Sequence, residues 1–199
     1  MERCDRLPVL ASVARRCVCL AALASIVPTA TAAVYMTQAQ ALAQAFPGAR
    51  VERHAFALTE AQARAVESRA RARLSSRVLS AHVAWRGDSL IGTAFFDART
   101  VRTMPGVFMV VVAPDSTVGR VDVLAFHEPP DYRPPARWLG LFGRRRLDDG
   151  LRPGGDVRNL SGATLSTRAV TECTRLALAL YEMVAAPALA GGTRPEEGR

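Results

Sequence analysis

Apolar and polar positions repeat along this chain with a helical period at both ends and a strand-like period between them. Residues Thr37–Phe46 are rich in Ala and Gln and stop at the breaker pair Pro47-Gly48, which predicts a helix. A second helix is expected over Thr59–Leu74. Thr59 stands as its N-cap with Gln62 three positions on, close to a capping box. Its many Arg and Glu side chains read as a solvated face. Strand patterns follow at Leu79–Trp85 and Leu90–Asp97, joined by Arg86-Gly87-Asp88-Ser89. Val107–Val112 and Val118–Phe126 form a second pair around Ala113–Thr117. The unbroken run Val-Phe-Met-Val-Val-Val at Val107–Val112 suits a strand covered on both faces. Pro129–Pro135 and the polar, Gly-rich Arg144–Gly155 are expected as surface loops around a short helix at Arg137–Phe142. A long helix is expected over about Ser166–Ala185. Its Val170, Cys173, Ala177, Leu180 and Val184 line one apolar face directed at the sheet. Helices, then hairpins, then a helix give an α+β class: an antiparallel sheet of hairpins with flanking helices and a long C-terminal helix.

The first 33 residues break this pattern. Arg3, Arg6, Arg15 and Arg16 form a positive opening, Cys17–Val27 is apolar, and Ala30-Thr31-Ala32 reads as a small-residue cleavage site. This predicts a signal peptide over 1–33, with an uncleaved membrane anchor as the competing reading. A single domain over 34–187 and a frayed tail over 188–199 complete the expected layout. The location is then periplasmic or otherwise extracytoplasmic. Past the leader only Cys173 remains, so an internal disulfide or a CxxC site is excluded.

At 49% hydrophobic and 22% charged, the 199 residues have the apolar content for a packed core. The formal charge is +8, and every basic residue is Arg. The absence of Lys excludes P-loop and Schiff-base lysine chemistry.

The candidate chemistry lies at the mouth of the long helix, in Ser161-Gly162-Ala163-Thr164-Leu165-Ser166-Thr167. Small residues allow close backbone approach, and four hydroxyls fall within the run. The helix that follows offers free N–H groups and a positive dipole end, which suits a phosphate. The plainer reading is that these hydroxyls cap the helix.

The segment Ser-Gly-Ala-Thr-Leu-Ser-Thr-Arg-Ala-Val-Thr resembles the flavin-attachment motif of the FMN-binding domain family. That family includes the C-type subunit of the sodium-translocating NADH:quinone reductase and the G-type subunit of Rnf complexes. A looser likeness runs over Tyr35–Tyr181, and the layout is closest to small exported members. The resemblance implies FMN joined through its phosphate to Thr164 as a phosphoester. Ser161, Gly162 and Ala163 fill the rest of the motif; Leu165, Ser166 and Thr167 extend it. It further implies maturation outside the cytoplasm by a flavin transferase using FAD, and electron transfer to a membrane or extracytoplasmic redox partner. The family usually has Asp three residues before the motif's Ser or Thr. This chain has Arg158 there, and its nearest acid is Asp156.

Other residues carry weaker signals. His127-Glu128, at a strand end, is either structural or adjacent to the isoalloxazine ring, and too small a set for a metal. His54 and His82 are isolated. Trp138 and Tyr132 can stack on a flavin or simply pack. Arg144-Arg145-Arg146 can be a solvated loop or dock an acidic partner. Two other classes compete with the electron carrier. One is an exported, non-redox module for a phosphate-bearing ligand. The other is a basic protein that binds nucleic acid or a membrane surface; scattered Arg residues and the lack of a nucleic-acid motif weigh against it.

Overall fold

The computed structural model describes residues 33–190. The expected leader over 1–33 lies outside these residues save for Ala33. Of the expected frayed tail over 188–199, residues 188–190 are instead helical, and the rest lies outside the described residues.

Six antiparallel strands form one sheet: β1 (Ala33–Val34), β2 (Arg50–Ala57), β3 (Val78–Arg86), β4 (Ser89–Thr100), β5 (Pro105–Val112) and β6 (Val118–Phe126). Their spatial order is β1-β6-β5-β4-β3-β2: β3 to β6 follow one another through hairpins, β2 leads into β3 through a helical connection, and β1 adds to the far edge against β6. The two expected hairpins are present; β3, β4 and β5 run slightly past their patterns, and β6 has the expected bounds. β2 was not legible as a strand. Its sequence, Arg-Val-Glu-Arg-His-Ala-Phe-Ala, has no regular apolar alternation and lies on an edge where half of the positions are exposed.

Helix α1 (Gln38–Ala45) covers one face of the sheet. It encloses a smaller core of Ala41, Phe46, Ala84, Ala94, Met109, Val111 and Leu124. The other face carries α2 (Glu60–Ala70), a short α3 (Ala136–Leu139) and α4 (Thr164–Leu180). There Phe95, Phe108, Val110, Val170, Leu176 and Leu178 belong to the main core. Alternate residues of β5 enter each core, as its continuous apolar run predicts: Phe108 and Val110 on one side, Met109 and Val111 on the other.

α1 and α2 both start on complete capping boxes, Thr37 with Gln40 and Thr59 with Gln62. α2 stops at Ala70, short of the expected Leu74. Arg71 takes a left-handed conformation (φ 54°) that ends the ladder and turns the chain. α4 begins at Thr164, two residues before the expected start. It continues through a wider turn at Tyr181–Ala185 into α5 (Ala186–Ala190), past the expected end. The face Val170, Cys173, Ala177 and Leu180 is buried as expected. The expectation of a one-sided helix is corrected, however, because Thr171, Thr174, Arg175 and Leu178 on other sides are buried too. The helix lies between the sheet, α2 and the 144–160 segment. That segment is not purely a surface loop, since Leu147 and Leu151 plug the core. By length and mean hydropathy (27 residues, 1.3) Thr164–Ala190 could cross a bilayer, but 56% of its most apolar window is buried within this fold, as in a core helix.

Candidate functional site

The hydroxyl run sits where the chain turns out of the 144–160 segment into α4. Trp138, buried against Phe142, donates its indole N–H to the Arg158 carbonyl at 2.7 Å and anchors the approach. Gly162 has φ +80°, a conformation that other residues adopt only under strain, and no atom lies within 4 Å of where its Cβ would stand. The turn is therefore open on its outer side.

The N-cap of α4 is Ala163, which has no side chain to cap with. None of the four hydroxyls acts as a cap, contrary to the plainer reading of the sequence. Thr167 spends its hydroxyl on the Thr164 carbonyl at 2.8 Å. Thr171 and Thr174 bond back to the carbonyls of Thr167 and Val170 in the same way. Ser166 is buried with its Oγ unpartnered. Among the described residues no hydrogen bond leaves the N–H groups of Thr164, Leu165 or Ser166. The first turn of a 17-residue helix thus ends in three open donors and the positive end of its dipole.

Exposure divides the run. Ser161, Gly162, Thr164 and Leu165 are exposed, whereas Ala163, Ser166 and Thr167 are buried. Thr164 is the exposed hydroxyl closest to the open N–H groups. Its side chain can accept a bulky substituent, and Ser166 and Thr167 cannot without local opening.

Beside this turn a pocket of about 430 Å³ runs under Leu165, Arg168 and Glu172 of α4 and against Arg73, Arg99 and Val101. Its volume lies in the range of small-molecule sites. Three guanidinium groups border it. Arg99 binds Asp97 at 2.8 Å, Arg168 binds Glu172 at 2.8 Å, and Arg73 makes no ion pair among the described residues. Arg99 titrates above its ordinary value: burial opposes the charge, but Asp97 and its neighbours outweigh that. The pocket therefore keeps its positive charge at any physiological pH. Arg168 lies within the motif segment, whereas Arg73 and Arg99 were not legible in the sequence, because they come from the α2–β3 loop and β4, far along the chain.

The remaining candidates divide clearly. Glu128 is structural: Oε1 accepts the backbone N–H groups of Arg102, Thr103 and Met104 at 3.0, 2.7 and 2.8 Å. Burial pushes its carboxyl up, yet these three bonds and the Arg102 charge prevail and hold it below its ordinary value. Tyr132 packs beneath the Arg102 guanidinium, 4.5 Å from the ring centre. Asp156 pairs with Arg145 at 2.8 Å, and Arg146 reaches Asp115 at 3.8 Å, so part of the arginine run is committed within the chain. His54 lies 3.6 Å from Glu52 on the edge strand. Cys173 is buried, and burial followed by the nearby Asp97 charge raises its thiol well above the ordinary range, which leaves it protonated and unreactive. No cluster of three or more metal-ligating side chains occurs among the described residues.

Arg175 is a functional support that the sequence did not reveal. It is buried in α4, and its guanidinium gathers the carbonyls of Ala70 at the end of α2 and of Asp148 and Leu151 in the segment leading to the motif. Its charge sits at the negative end of α2, a favourable position. It ties the approach segment, α2 and α4 into one unit behind Thr164.

Residues 104–179 match the model of the FMN-binding domain, a span from β5 through the hydroxyl run and most of α4. No curated protein and no solved structure matches the chain.

Proposed function

We propose that this chain, whose residues 104–179 match the FMN-binding domain, is an exported electron carrier with FMN esterified to Thr164. The observation that carries the reading is the pairing of an exposed Thr164 hydroxyl with the uncapped first turn of α4. A phosphodiester at Thr164 would lie against the open N–H groups of Leu165 and Ser166, with the helix dipole behind them. The residues present fit such a group: small residues on the turn, open space outside Gly162, and a cationic pocket alongside.

In maturation the Thr164 oxygen would take the FMN phosphate from FAD: the new bond would run from Thr164 to that phosphorus, the pyrophosphate bond would break, and AMP would be the leaving group. The hydroxyl proton passes to a base of the transferase. When bound, FMN supplies one- and two-electron redox chemistry. The chain's own residues do the rest. Arg73, Arg99 and Arg168 offer positive charge that stabilises a reduced, anionic ring. Arg175 and Trp138 hold the attachment turn still. Arg158 takes the place of the family's usual Asp. It contributes its backbone carbonyl to Trp138 and leaves the approach without an exposed acid at that position.

Two measurements test the reading. The full-length gene is expressed with a flavin transferase, and denatured protein is examined by in-gel flavin fluorescence and intact mass. The parent is expected to gain the mass of FMN less one water, and Thr164→Ala to gain nothing while melting like the parent. Fluorescence retained in Thr164→Ala, or no flavin mass on the parent, would overturn the covalent assignment. N-terminal sequencing of the product is expected to begin near Ala33 or Val34. An intact Met1 on cytosolic protein would refute export, and an intact Met1 on membrane-bound protein would replace cleavage with anchoring.

A further inference from the structure

A larger pocket, about 510 Å³, lies elsewhere, in a fork of the sheet. β3 begins at Val78 and β4 runs to Thr100, but the ladder between them ends at Ala81 opposite Phe95. Beyond that pair β3 still follows β2 down to Ala57 opposite Val78, and β4 still follows β5 to Thr100 opposite Pro105. The strands diverge, and the opening joins the two faces of the sheet.

The two faces offer different chemistry. On the α4 side the lining is Leu79, Phe95, Val110, Leu176 and Leu180. On the α1 side it is Arg53, Ser80, His82 and Phe96. The one acid in the fork, Asp97, is already committed to Ser75, Arg99 and Cys173. The other charged side chain of the lining is Arg53, with Gln38 and three serines as neutral polar groups. Arg53 is exposed and gives only its Nε–H, to Ser80 at 3.0 Å, with no ion pair among the described residues. Ser80 accepts that bond and keeps its own O–H. His82 Nδ1 is shut off from solvent and has no partner. Burial, then the Arg53 charge, pulls the His82 ring below its ordinary value, so it is neutral at physiological pH. An apolar slot that ends in a guanidinium without an ion pair, beside a hydroxyl, lacks an anionic acceptor on an apolar stem.

We propose that the β3–β4 fork is a second binding site, for a small molecule with an apolar body and a single carboxylate head. The body lies against α4 and the head meets Arg53 on the opposite face. β2, β3 and β4 all precede residue 104, so the site is built largely outside the span that matches the FMN-binding domain. It does not depend on the flavin reading.

The test uses the full chain carrying Thr164→Ala, so that no flavin occupies Thr164, and titrates octanoate and octan-1-ol by calorimetry. Octanoate is expected to bind once per chain, and octan-1-ol at least tenfold more weakly. Arg53→Gln, an exposed change, is expected to weaken octanoate about tenfold and leave octan-1-ol unaltered. Methyl NMR is expected to show octanoate shifting Leu79, Val110, Leu176 and Leu180. No saturable binding, equal binding by Arg53→Gln, shifts confined to other methyls, or displacement of octanoate by riboflavin would each overturn the proposal. The last result would assign the fork to the isoalloxazine instead.

Discussion

Two turns of this molecule present three backbone N–H groups to one point, and the chain treats them in opposite ways. At Arg102–Thr103–Met104, between β4 and β5, the three donors converge on one carboxylate oxygen of Glu128. At Thr164–Leu165–Ser166, the first turn of α4, no side chain answers. The sequence does not lack the means. α1 and α2 each open on a Thr–Gln capping box, and the residues around α4's start are richer in hydroxyls than either. Backbone donors are filled where the turn only has to hold strands together. They are left open at the hydroxyl run that opens α4. The contrast separates a turn that is complete within the chain from one that, under the proposed attachment, a group from outside would complete.

The first way to break this comparison is to empty the filled turn. Glu128→Ala leaves three donors short of an acceptor in a part-buried site and is expected to cost on the order of 2 kcal/mol, read from urea unfolding. Glu128→Gln keeps an acceptor oxygen and loses less, but it removes a pH dependence. The folded carboxyl sits below its ordinary value of 4.5. Its contribution is therefore complete above that value and is lost as pH falls through the lower, folded value. The parent is expected to lose stability between about pH 5 and 3 more steeply than Glu128→Gln. Equal slopes would show that the carboxylate charge contributes nothing there. Flavin attachment at neutral pH is expected to survive in Glu128→Gln.

The converse change fills the open turn. Ala163→Asp puts a carboxylate at the start of α4, at the dipole's positive end. Ala163 is buried and its backbone (φ −123°, ψ 31°) is not the extended one of Thr37 or Thr59, so desolvation of the carboxylate offsets the cap and dipole gain of about 0.5–1 kcal/mol. The melting temperature of flavin-free protein is expected to change by no more than a few degrees. The same carboxylate would compete for the N–H groups that favour a phosphodiester and would repel it. Flavin loading under limiting transferase is expected to fall several-fold. A variant that folds like the parent and is fully loaded would mean that the open donors have no part in holding FMN.

Much of this was legible in the chain, for reasons that differ between elements. β5 could be read because six apolar residues in a row need two covered faces, and α2's start because Thr59 and Gln62 have the spacing of a reciprocal cap. β2 could not be read, since an edge strand with Arg50, Glu52, Arg53 and His54 satisfies its backbone through β3 and needs few apolar contacts. The hydroxyl run was visible as a motif. Which of its hydroxyls remain outside was not, because that depends on how deeply α4 is sunk between sheet and α2. Arg73, Arg99 and Arg175 reach the site from three separate elements, and no local pattern brings them together. Glu128 was noticed for its neighbour His127, whereas its work is on a turn some 24 to 26 residues earlier.

The smallest expected effect falls on Ser166, and it sharpens the comparison most. Its hydroxyl lies two residues after Thr164 on the same helix start, yet it is buried and without a partner. A buried hydroxyl that makes no hydrogen bond has forfeited its hydration and gained nothing in exchange. Ser166→Ala removes that unmet group and leaves a void of one oxygen atom, two terms of opposite sign. The net change in stability is expected to lie within about 0.5 kcal/mol of zero, and Ala favours the helix slightly. Flavin attachment is expected to be unchanged, because a transferase can reach Thr164 but not a side chain beneath the helix. The measurement is a paired one, melting temperature and covalent flavin fluorescence on the same preparation. Loss of fluorescence with an unchanged melt would move the acceptor from Thr164 to Ser166. A drop of several degrees with fluorescence intact would mean instead that the Ser166 hydroxyl holds a hydrogen bond in solution, and that the open end of α4 is more fully satisfied than its neighbours imply.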